Sequence, residues 1–585
     1  MRTPTRPLGS VVGGLADALA RSDSWLSRLP KLAAGGLVLG GALVSALSLV
    51  SCNPGSRLLD WEGNPEEPAD MSVPPLTCMK GRLRCTANRD ATEECDGKTW
   101  QHKIDCNTKA GDTCVEGTCR TQCELAPRGN VGCSFFPVNL WSTSTVGELG
   151  IVVTNTSETL SADVTLDGPV RPTPSNRQTV PPGAAVIFRV PHGDAKLTQT
   201  EQATKGMHLS STAPVAVYQF HPIDAATVFS GSATLLLPEH VMAKNYFVMS
   251  YTYNAELITN PPQGQGLLAV VALSNDTRVE VTVPVETMPG PGVPGLKPGQ
   301  TMTRTLNRLE VLEIAQLKSR EDISGATVKA SAPVAVFGGA GGVSIPMSAV
   351  GGNHLGVQMF PLETWGKRYM AAKVKQRNAT DRDYYRIVAS VDNTTITLKG
   401  GPGLPMTVPK LARSQTFEFS TAADFVIEAD QPILAFQYMP AWGNLSGAYD
   451  AASFPDGLPT ECPGGTRSGP DSVRCLGDAN ITPLIPIEQF RNDYIFYVPL
   501  TYKYNYINVY APLDTKLTLD GVPVTEPFKT VVDNLGRAIL RIKEDGQNHR
   551  LTGNQPFGII GYGYAYATSY SYAGGLNLAK INPIE

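Results

Sequence analysis

The sequence lacks the patterns that mark an enzyme site, a metal centre or a nucleic-acid surface. No GxSxG, no GxxxxGK[ST] loop and no HExxH pair occurs among its 585 residues, so the commonest hydrolase, nucleotide and metalloprotease sites are not recognisable. Lys and Arg number 49 against 53 Asp and Glu, and they form no basic blocks, which argues against a nucleic-acid partner. We therefore predict a protein without catalytic activity, cofactor or metal.

Helical patterns and a disorder-prone composition are also missing. Charged residues make up 17 % and hydrophobic residues 42 % of the chain, which excludes bulk disorder. Gly (56) and Pro (46) are frequent without a triplet period, a composition typical of turn-rich β proteins. The best helical candidate after residue 128 is LNRLEVLEIAQLKSRED (306–322), and its LEVLEI segment suits a strand equally well. The sequence predicts an all-β fold.

One long apolar run stands near the beginning of the chain. LAAGGLVLGGALVSALSLVS follows two basic residues and ends directly before Cys52, an arrangement typical of an export signal. The ending Leu49-Val50-Ser51-Cys52 is typical of a bacterial lipobox, in which the Cys thiol is lipidated. We predict a lipoprotein signal peptide over residues 1–51 and a lipid such as palmitate on Cys52. A transmembrane helix is the alternative.

The segment after Cys52 has the composition of a tether. Residues 52–77 are rich in Pro, Gly and acidic residues, and such segments form extended linkers. Asn53, rather than an Asp, follows the cysteine, which favours the outer membrane. We expect a lipid-anchored protein of the bacterial cell envelope, held at the outer membrane.

Ten further cysteines remain, an even number. Eight cluster within residues 78–133 among few apolar residues, and disulfides persist in exported proteins. A disulfide-rich module over residues 78–127 is therefore predicted, with Cys133 at its border; a zinc cluster is the alternative, although CxxC spacing is absent. The last two cysteines bracket a polar loop and are predicted to pair. The ten predicted disulfide cysteines are Cys78, Cys85, Cys95, Cys106, Cys114, Cys119, Cys123, Cys133, Cys462 and Cys475.

From residue 128 onward, the chain repeats three features in a fixed order. They are a Pro-led run that ends in an aromatic strand, a polar turn between two strands, and an apolar strand that opens on Pro. The turns recur about every 120 residues, which indicates an internal repeat. The turn markers are Asn155, Asn275, Asn393 and Asp514, and the strand markers are Pro214, Pro333, Pro432 and Pro556.

The length of the repeat predicts its architecture. A period of about 120 residues is too long for a propeller blade of about 40–50, and it fits a β-sandwich of six or seven strands. We predict four tandem β-sandwich-like repeats packed in series, with a closed ring of the four as the alternative. Their predicted ranges are 128–236, 237–358, 359–483 and 484–585.

Three segments carry a family resemblance. NVGCSFFPVNLW, APVAVYQFHPID and ATLLLPEHVMAKNYFVMSY occur in this order, and residues 128–585 resemble the IgG Fc-binding protein N-terminal domain family. Bacterial members similarly place this domain after a lipobox and a short Cys-rich module. The resemblance implies a binding role outside the cell. Antibody binding does not follow from a shared fold, and the resemblance supplies no site residues.

Alternate tyrosines mark the stretch GYGYAYATSYSYAGG (561–575). In a strand they share one face, and such a face suits recognition of a protein or a sugar. Packing of the same face against a neighbouring repeat is the alternative. The candidate binding residues are Tyr562, Tyr564, Tyr566, Tyr570 and Tyr572.

Two shorter segments combine charges with aromatic or imidazole groups. HPID (221–224) brings His221 near Asp224, a candidate acid/base pair whose alternative is a strand cap. DRDYYR (381–386) is predicted to be a solvated hairpin, with a ligand contact as the alternative.

Together these features favour a non-catalytic cell-surface lipoprotein for binding or adhesion through repeated β modules. Its expected partners are the membrane, through the lipid, and an unknown extracellular protein or glycan. A secreted hydrolase of extracellular or cell-wall polymers and a purely structural envelope component are the alternatives.

Overall fold

The chain folds almost entirely into β-strands, which confirms the all-β prediction. The computed structural model describes residues 78–144, 146–224, 228, 230–254, 265–349, 351–445 and 476–582. They all belong to one compact body that spans residues 75–585. Within these residues the helical elements are one α-helix, α1 (Gln122–Leu125), and short 3-10 turns at Thr108–Ala110, Glu239–Val241, Leu362–Thr364, Trp442–Asn444 and Ile487–Gln489.

No helix in the described part of the chain has the length and apolarity needed to span a bilayer. The apolar run, Cys52, Cys462 and Cys475 lie outside the described residues.

The Cys-rich module is held by disulfides rather than by an apolar core. Its strands are β1 (Leu83–Cys85), β2 (Ala91–Cys95) and β3 (Trp100–Asp105) in one sheet, and β4 (Thr113–Val115) and β5 (Thr118–Arg120) in a hairpin. The bridges are Cys78–Cys95, Cys85–Cys114, Cys106–Cys119 and Cys123–Cys133. The disulfide prediction is confirmed for these eight cysteines. The last bridge reaches the first strand of the next region and so ties the module to it.

The remaining strands fall into four successive stretches, here called units 1 to 4. Unit 1 contains β6 (Val131–Phe135), β7 (Leu149–Asn155), β8 (Ala162–Asp167), β9 (Arg177–Val180), β10 (Ala185–Val190), β11 (Glu201–Thr204), β12 (His208–His221) and β13 (Ser232–Leu236). Unit 2 contains β14 (Ala243–Phe247), β15 (Gly266–Ala272), β16 (Thr277–Thr282), β17 (Thr301–Leu306), β18 (Glu310–Ala315), β19 (Thr327–Val343) and β20 (Asn353–Gln358).

Units 3 and 4 continue the order. Unit 3 contains β21 (Arg368–Ala371), β22 (Asp383–Ala389), β23 (Ile396–Gly400), β24 (Thr416–Thr421), β25 (Phe425–Ala429), β26 (Ile433–Met439) and β27 (Asn480–Pro483). Unit 4 contains β28 (Arg491–Tyr497), β29 (Tyr504–Pro512), β30 (Leu517–Leu519), β31 (Val522–Pro523), β32 (Lys529–Val532), β33 (Leu535–Ile542), β34 (Asn548–Ala565) and β35 (Thr568–Ala573). The segment 306–322 holds β18 and is not a helix.

One pairing scheme recurs in the four units. A long strand pairs over its first part with the first and third strands of its unit, and over its second part with the second and last strands. The long strands are β12, β19 and β34. In unit 3 two shorter strands replace the long one: β25 pairs with the first and third strands of the unit, and β26 pairs with the second and last. In units 1, 2 and 4 one long strand thus connects two groups of strands, whereas unit 3 has two separate sheets.

The marker prolines lie where the long strand changes partners. Pro214, Pro333 and Pro556 lie inside β12, β19 and β34, and a register shift occurs near each of them. The expectation that each proline opens a strand is wrong in these three units. Because proline has no N–H to give to the ladder, a bulge between the two halves accommodates it.

The units form a ring, and the serial arrangement is wrong. The last strands β13, β20, β27 and β35 lie beside one another in this order, and β35 also contacts β13. Unit 1 therefore meets unit 4 as well as unit 2. A further link is β11 of unit 1, which pairs with β18 of unit 2.

Two buried asparagines join the four units at the centre of the ring. The Nδ2 group of Asn353 in unit 2 donates to the carbonyls of Gly231 (2.7 Å) and Ala479 (2.6 Å). The Nδ2 group of Asn480 in unit 3 donates to the carbonyls of Gly231 (3.0 Å) and Ser569 (3.1 Å). Gly231 precedes the last strand of unit 1, and Ser569 lies in that of unit 4. Buried amides fully paired in this way specify a single arrangement of the parts.

The C-terminal segment lies against several units. Leu576 donates its backbone N–H to Asn130 Oδ1 (3.1 Å), and Ala579 donates its own to Gln489 Oε1 (3.0 Å). Asn582 Nδ2 reaches the carbonyl of Leu362 between units 2 and 3 (2.9 Å). The end of the chain thus helps to close the ring.

Candidate functional site

A solvent cavity opens at the seam between units 3 and 4. It has a volume of about 510 Å³, and it is bordered by residues 373–376, 378, 379 and 422 of unit 3 and by unit 4. A second cavity of about 440 Å³ shares Ala422 and Lys529 with the first. We call the two together the seam groove. One wall is the segment of residues 372–382 between β21 and β22, here called the basic loop.

Cations dominate the seam groove. Lys375 of the basic loop, together with Lys529 and Arg537 of unit 4, borders the first cavity. Asp424 accepts hydrogen bonds on Oδ2 from Arg537 Nη2 (2.8 Å) and Lys529 Nζ (3.4 Å). Because this single buried carboxylate faces two cations, and Lys375 adds a third, the groove carries a net positive charge that attracts anionic groups.

Two tyrosines of unit 4 hold the backbone of the basic loop. Lys375 donates its N–H to the hydroxyl of Tyr562 (2.8 Å), and Tyr564 donates its hydroxyl to the carbonyl of Lys375 (2.8 Å). Tyr562 also donates to Asn508 Oδ1 (2.9 Å). Burial raises the pKa of both phenols well above the ordinary value, so they stay neutral hydrogen-bonding groups. Lys375 is thereby fixed in position.

The two other buried tyrosines of the stripe face unit 1. The ring of Tyr572 lies 4.7 Å from that of Tyr218, and the ring of Tyr570 lies 5.6 Å from that of Phe220, measured between centroids. Tyr570 donates to Asn505 Oδ1 (2.8 Å), and Tyr572 donates to the carbonyl of Tyr497 (2.7 Å). The ring contacts join unit 4 to unit 1, whereas the two hydrogen bonds lie within unit 4.

The prediction of an exposed tyrosine face is therefore wrong for Tyr562, Tyr564, Tyr570 and Tyr572, which are all buried. Tyr566 is half-buried. The packing alternative is the correct one, because the strands that carry the stripe lie between units 1 and 3. The expectation of one shared face is wrong too: Tyr570 and Tyr572 pair with Gly563 and Gly561, so they lie on the face opposite to Tyr562 and Tyr564. The elements that cover the two faces are distant in sequence.

Four of the six residues of the charged segment DRDYYR are buried, with Arg382 exposed and Tyr384 half-buried, so the solvated hairpin is wrong as well. Asp381, Asp383 and Tyr385 have no exposed surface. Arg377 binds both oxygens of Asp381 through Nε (3.0 Å) and Nη2 (3.1 Å), and it donates to the carbonyls of Leu476 (2.9 Å) and Pro440 (3.0 Å). Sequence reasoning missed this cluster because each charge is compensated by a partner that only the tertiary structure brings close.

His221 and Asp224, the acid/base pair that the sequence suggested, do not lie together in a reactive site. His221 is buried with its ring centroid 4.3 Å from that of His354, and burial lowers its pKa well below the ordinary value. Asp224 pairs with Arg189 rather than with His221. Among the described residues no three His, Cys, Asp or Glu side chains are grouped so as to hold a metal ion.

The role of the tyrosines can be tested by removing their hydroxyls. Tyr562→Phe and Tyr564→Phe each leave a buried group of Lys375 unpaired, so we expect each to lower the free energy of unfolding by about 1–3 kcal/mol. Denaturant titration measures the loss. Unchanged stability in the two variants would show that the hydroxyls do not hold the loop.

Comparison with known proteins confirms the family that the sequence suggested, over a shorter range than residues 128–585; of the three segments, only the third lies inside the match. The family model described as "IgGFc binding protein" matches residues 232–563, from the last strand of unit 1 into β34. No curated protein matches the chain. Among solved structures, a "Biofilm associated protein - BSP domain" aligns at 9 % identity over 76 % of this chain and 95 % of that chain, with a TM-score of 0.14, too low to indicate a shared fold. Since the family match covers more than half of the chain, the protein belongs to the IgG Fc-binding protein family.

Proposed function

We propose that the protein is a non-catalytic binding protein of the bacterial surface and that its seam groove contacts an acidic segment of an extracellular protein. The observation that carries the proposal is the excess of cations over carboxylates around a groove between two units. Membership of a family named for binding another protein supports a protein partner over a small substrate. An antibody is one possible source of such a segment, and the proposal does not depend on it.

The groove suits binding because its charges are held in place before a partner arrives. The tyrosines fix Lys375 through its backbone, and Asp424 orients Arg537. Lys529 contacts Asp424 through Nζ (3.4 Å), while 72 % of its side chain is exposed to solvent. A preorganised site loses less conformational entropy when it binds.

The hydrolase alternative gains no support from this region. Asp381 and Asp383 have no exposed surface, and Asp424 is paired with cations, so none of these carboxyl groups is presented to a polymer as the acid or base that hydrolysis requires. We therefore propose that the protein is not an enzyme.

We also propose that the protein is anchored in the outer membrane by a lipid on Cys52, with residues 52–77 as the tether. The support is the lipobox at the end of the apolar run. The disulfide module would then stand between the tether and the ring, and its last bridge would transmit force directly to the first strand of unit 1. Such an anchor suits a protein that holds a partner at the cell surface.

Charge reversal in the groove tests the binding proposal. The double variant Lys375→Glu with Lys529→Glu should weaken binding of a fluorescent poly-glutamate peptide by about tenfold or more, which corresponds to about 1.4 kcal/mol. High salt should weaken wild-type binding as well, because salt screens exposed charges. Fluorescence polarisation measures both effects, with an immunoglobulin Fc fragment as a second probe.

Lys516→Glu is the matched control, since it reverses an exposed lysine of unit 4 that does not border the groove. Equal affinity of the double variant and the wild type, with both folded, would contradict the proposal. Failure of both probes to bind the wild type would also contradict the proposal.

The lipid anchor predicts a simple fractionation result. Cys52→Ala removes the only thiol at the end of the apolar run, so we expect the variant to leave the membrane fraction or to retain its signal peptide. Immunoblotting of membrane and soluble fractions shows which occurs. A variant that is processed and partitions like the wild type would rule out lipidation at this residue.

A further inference from the structure

The buried amine of Lys373 lies between two buried carboxyl groups. Its Nζ atom is 2.8 Å from Asp383 Oδ1 and 3.3 Å from Asp381 Oδ2. The lysine side chain is 4 % exposed, and neither aspartate has exposed surface. Lys373 lies in the basic loop, and Asp383 is the first residue of β22. The amine is therefore in contact with a carboxyl group in a site from which bulk water is excluded.

The two oxygens of Asp383 have different environments. Oδ2 accepts hydrogen bonds from Gln437 Nε2 (2.6 Å) and from the N–H of Val374 (2.9 Å). Oδ1 faces the amine but makes no well-aligned hydrogen bond within the described structure. Burial raises the pKa of Asp383 above its ordinary value. One oxygen is thus held by two donors, while the other is directed toward the amine.

The pKa of Asp381 is shifted in the direction opposite to that of Asp383. Although burial acts to raise its pKa, the charges of Arg377 and Lys373 hold that pKa well below the ordinary value. Arg377 contacts both of its oxygens. Asp381 is therefore an ionised carboxylate whose Oδ2 contacts the amine of Lys373. Its low pKa makes it a weak base, so it would carry a proton from Nζ only transiently, as a relay.

We propose that Lys373 and Asp383 are joined by an intramolecular amide bond, which forms within the folded protein with Asp381 as the proton acceptor. The Nζ atom attacks Cγ of Asp383, the Nζ–Cγ bond forms, and the Cγ–Oδ1 bond breaks. Before the attack, the ammonium of Lys373 gives one proton to Oδ1 of Asp383, so that a neutral amine faces a neutral carboxyl group. During the attack, Asp381 receives a second proton from Nζ and passes it to the departing Oδ1, which then carries two protons and leaves as water. An ammonium and a carboxylate thus become one amide and one water molecule, without oxidant or co-reactant.

The surroundings favour this condensation. Gln437 and Val374 are placed to stabilise the negative charge that develops on Oδ2 during the attack, as an oxyanion hole does. Buried charges carry a large desolvation cost, and the amide removes one positive and one negative charge together. The remaining pair, Arg377 and Asp381, stays balanced. The same exclusion of water protects the amide from hydrolysis.

The amide would close a covalent ring across the base of the basic loop. Lys375, whose backbone the tyrosines hold, lies between the two joined residues. The link would therefore lock one wall of the seam groove to β22. The inference stands on the geometry of this cluster and is independent of the identity of any partner.

Peptide mass spectrometry of the full-length protein tests the bond directly. After complete tryptic digestion we expect a branched peptide in which residues 369–375 are joined to residues 383–386, with cleavage after Lys373 blocked. Its mass should be one water below the sum of the two linear peptides. An aspartate that merely cyclises to a succinimide loses the same mass without forming the branched peptide. Recovery of wild-type residues 369–373 and 383–386 as separate linear peptides in full amount would overturn the proposal.

Variants distinguish the roles of the residues. Lys373→Met should abolish the branched peptide, while Lys375→Arg, the matched control in the same loop, should retain it. Asp381→Asn should leave most of the chains unlinked, because the proton acceptor is lost. Circular dichroism establishes that each variant is folded. Linking in a folded Asp381→Asn variant to the wild-type extent would overturn the assigned role of Asp381.

Discussion

Closure of the ring at its centre is the constraint on which the rest of the structure depends. The last strand of each unit lies beside that of the next, and the side chains of Asn353 and Asn480 satisfy carbonyl groups of three other segments. A buried amide without its partners is costly. Separating one unit would leave such groups unpaired, so the stability of each unit depends on its contacts with both neighbouring units.

The function we propose follows from this closure. Unit 4 is attached to unit 1 through Tyr570 and Tyr572 and to unit 3 through Tyr562 and Tyr564. The seam between units 3 and 4 is thus a fixed boundary, and the cations on its two sides keep their spacing. A groove of this kind presents several charges at once, which a single mobile loop does not achieve.

The sequence predicts much of the architecture and little of the site. Period-two strands, Gly and Pro content and the recurring turns carry enough local information for the all-β fold, and the even, clustered cysteines predict the disulfide module. The sequence left the ring and the packing of the tyrosines as alternatives that it could not decide, because both depend on which distant strands meet. Asp381 and Asp383 look solvated in sequence, since charged residues are usually exposed, and only their pairing with Arg377 and Lys373 explains their burial. The roles of Cys52, Cys462 and Cys475 stay predictions.

Hydrogen exchange of the four central strands, measured by mass spectrometry on the wild type and on Asn480→Ala, tests ring closure most directly. If the ring is closed, β13, β20, β27 and β35 exchange with similar, strong protection, and Asn480→Ala increases exchange in all four, including β13 of unit 1. If β13 and β35 exchange as independent ends of an open row, and the substitution affects β27 alone, the account is contradicted.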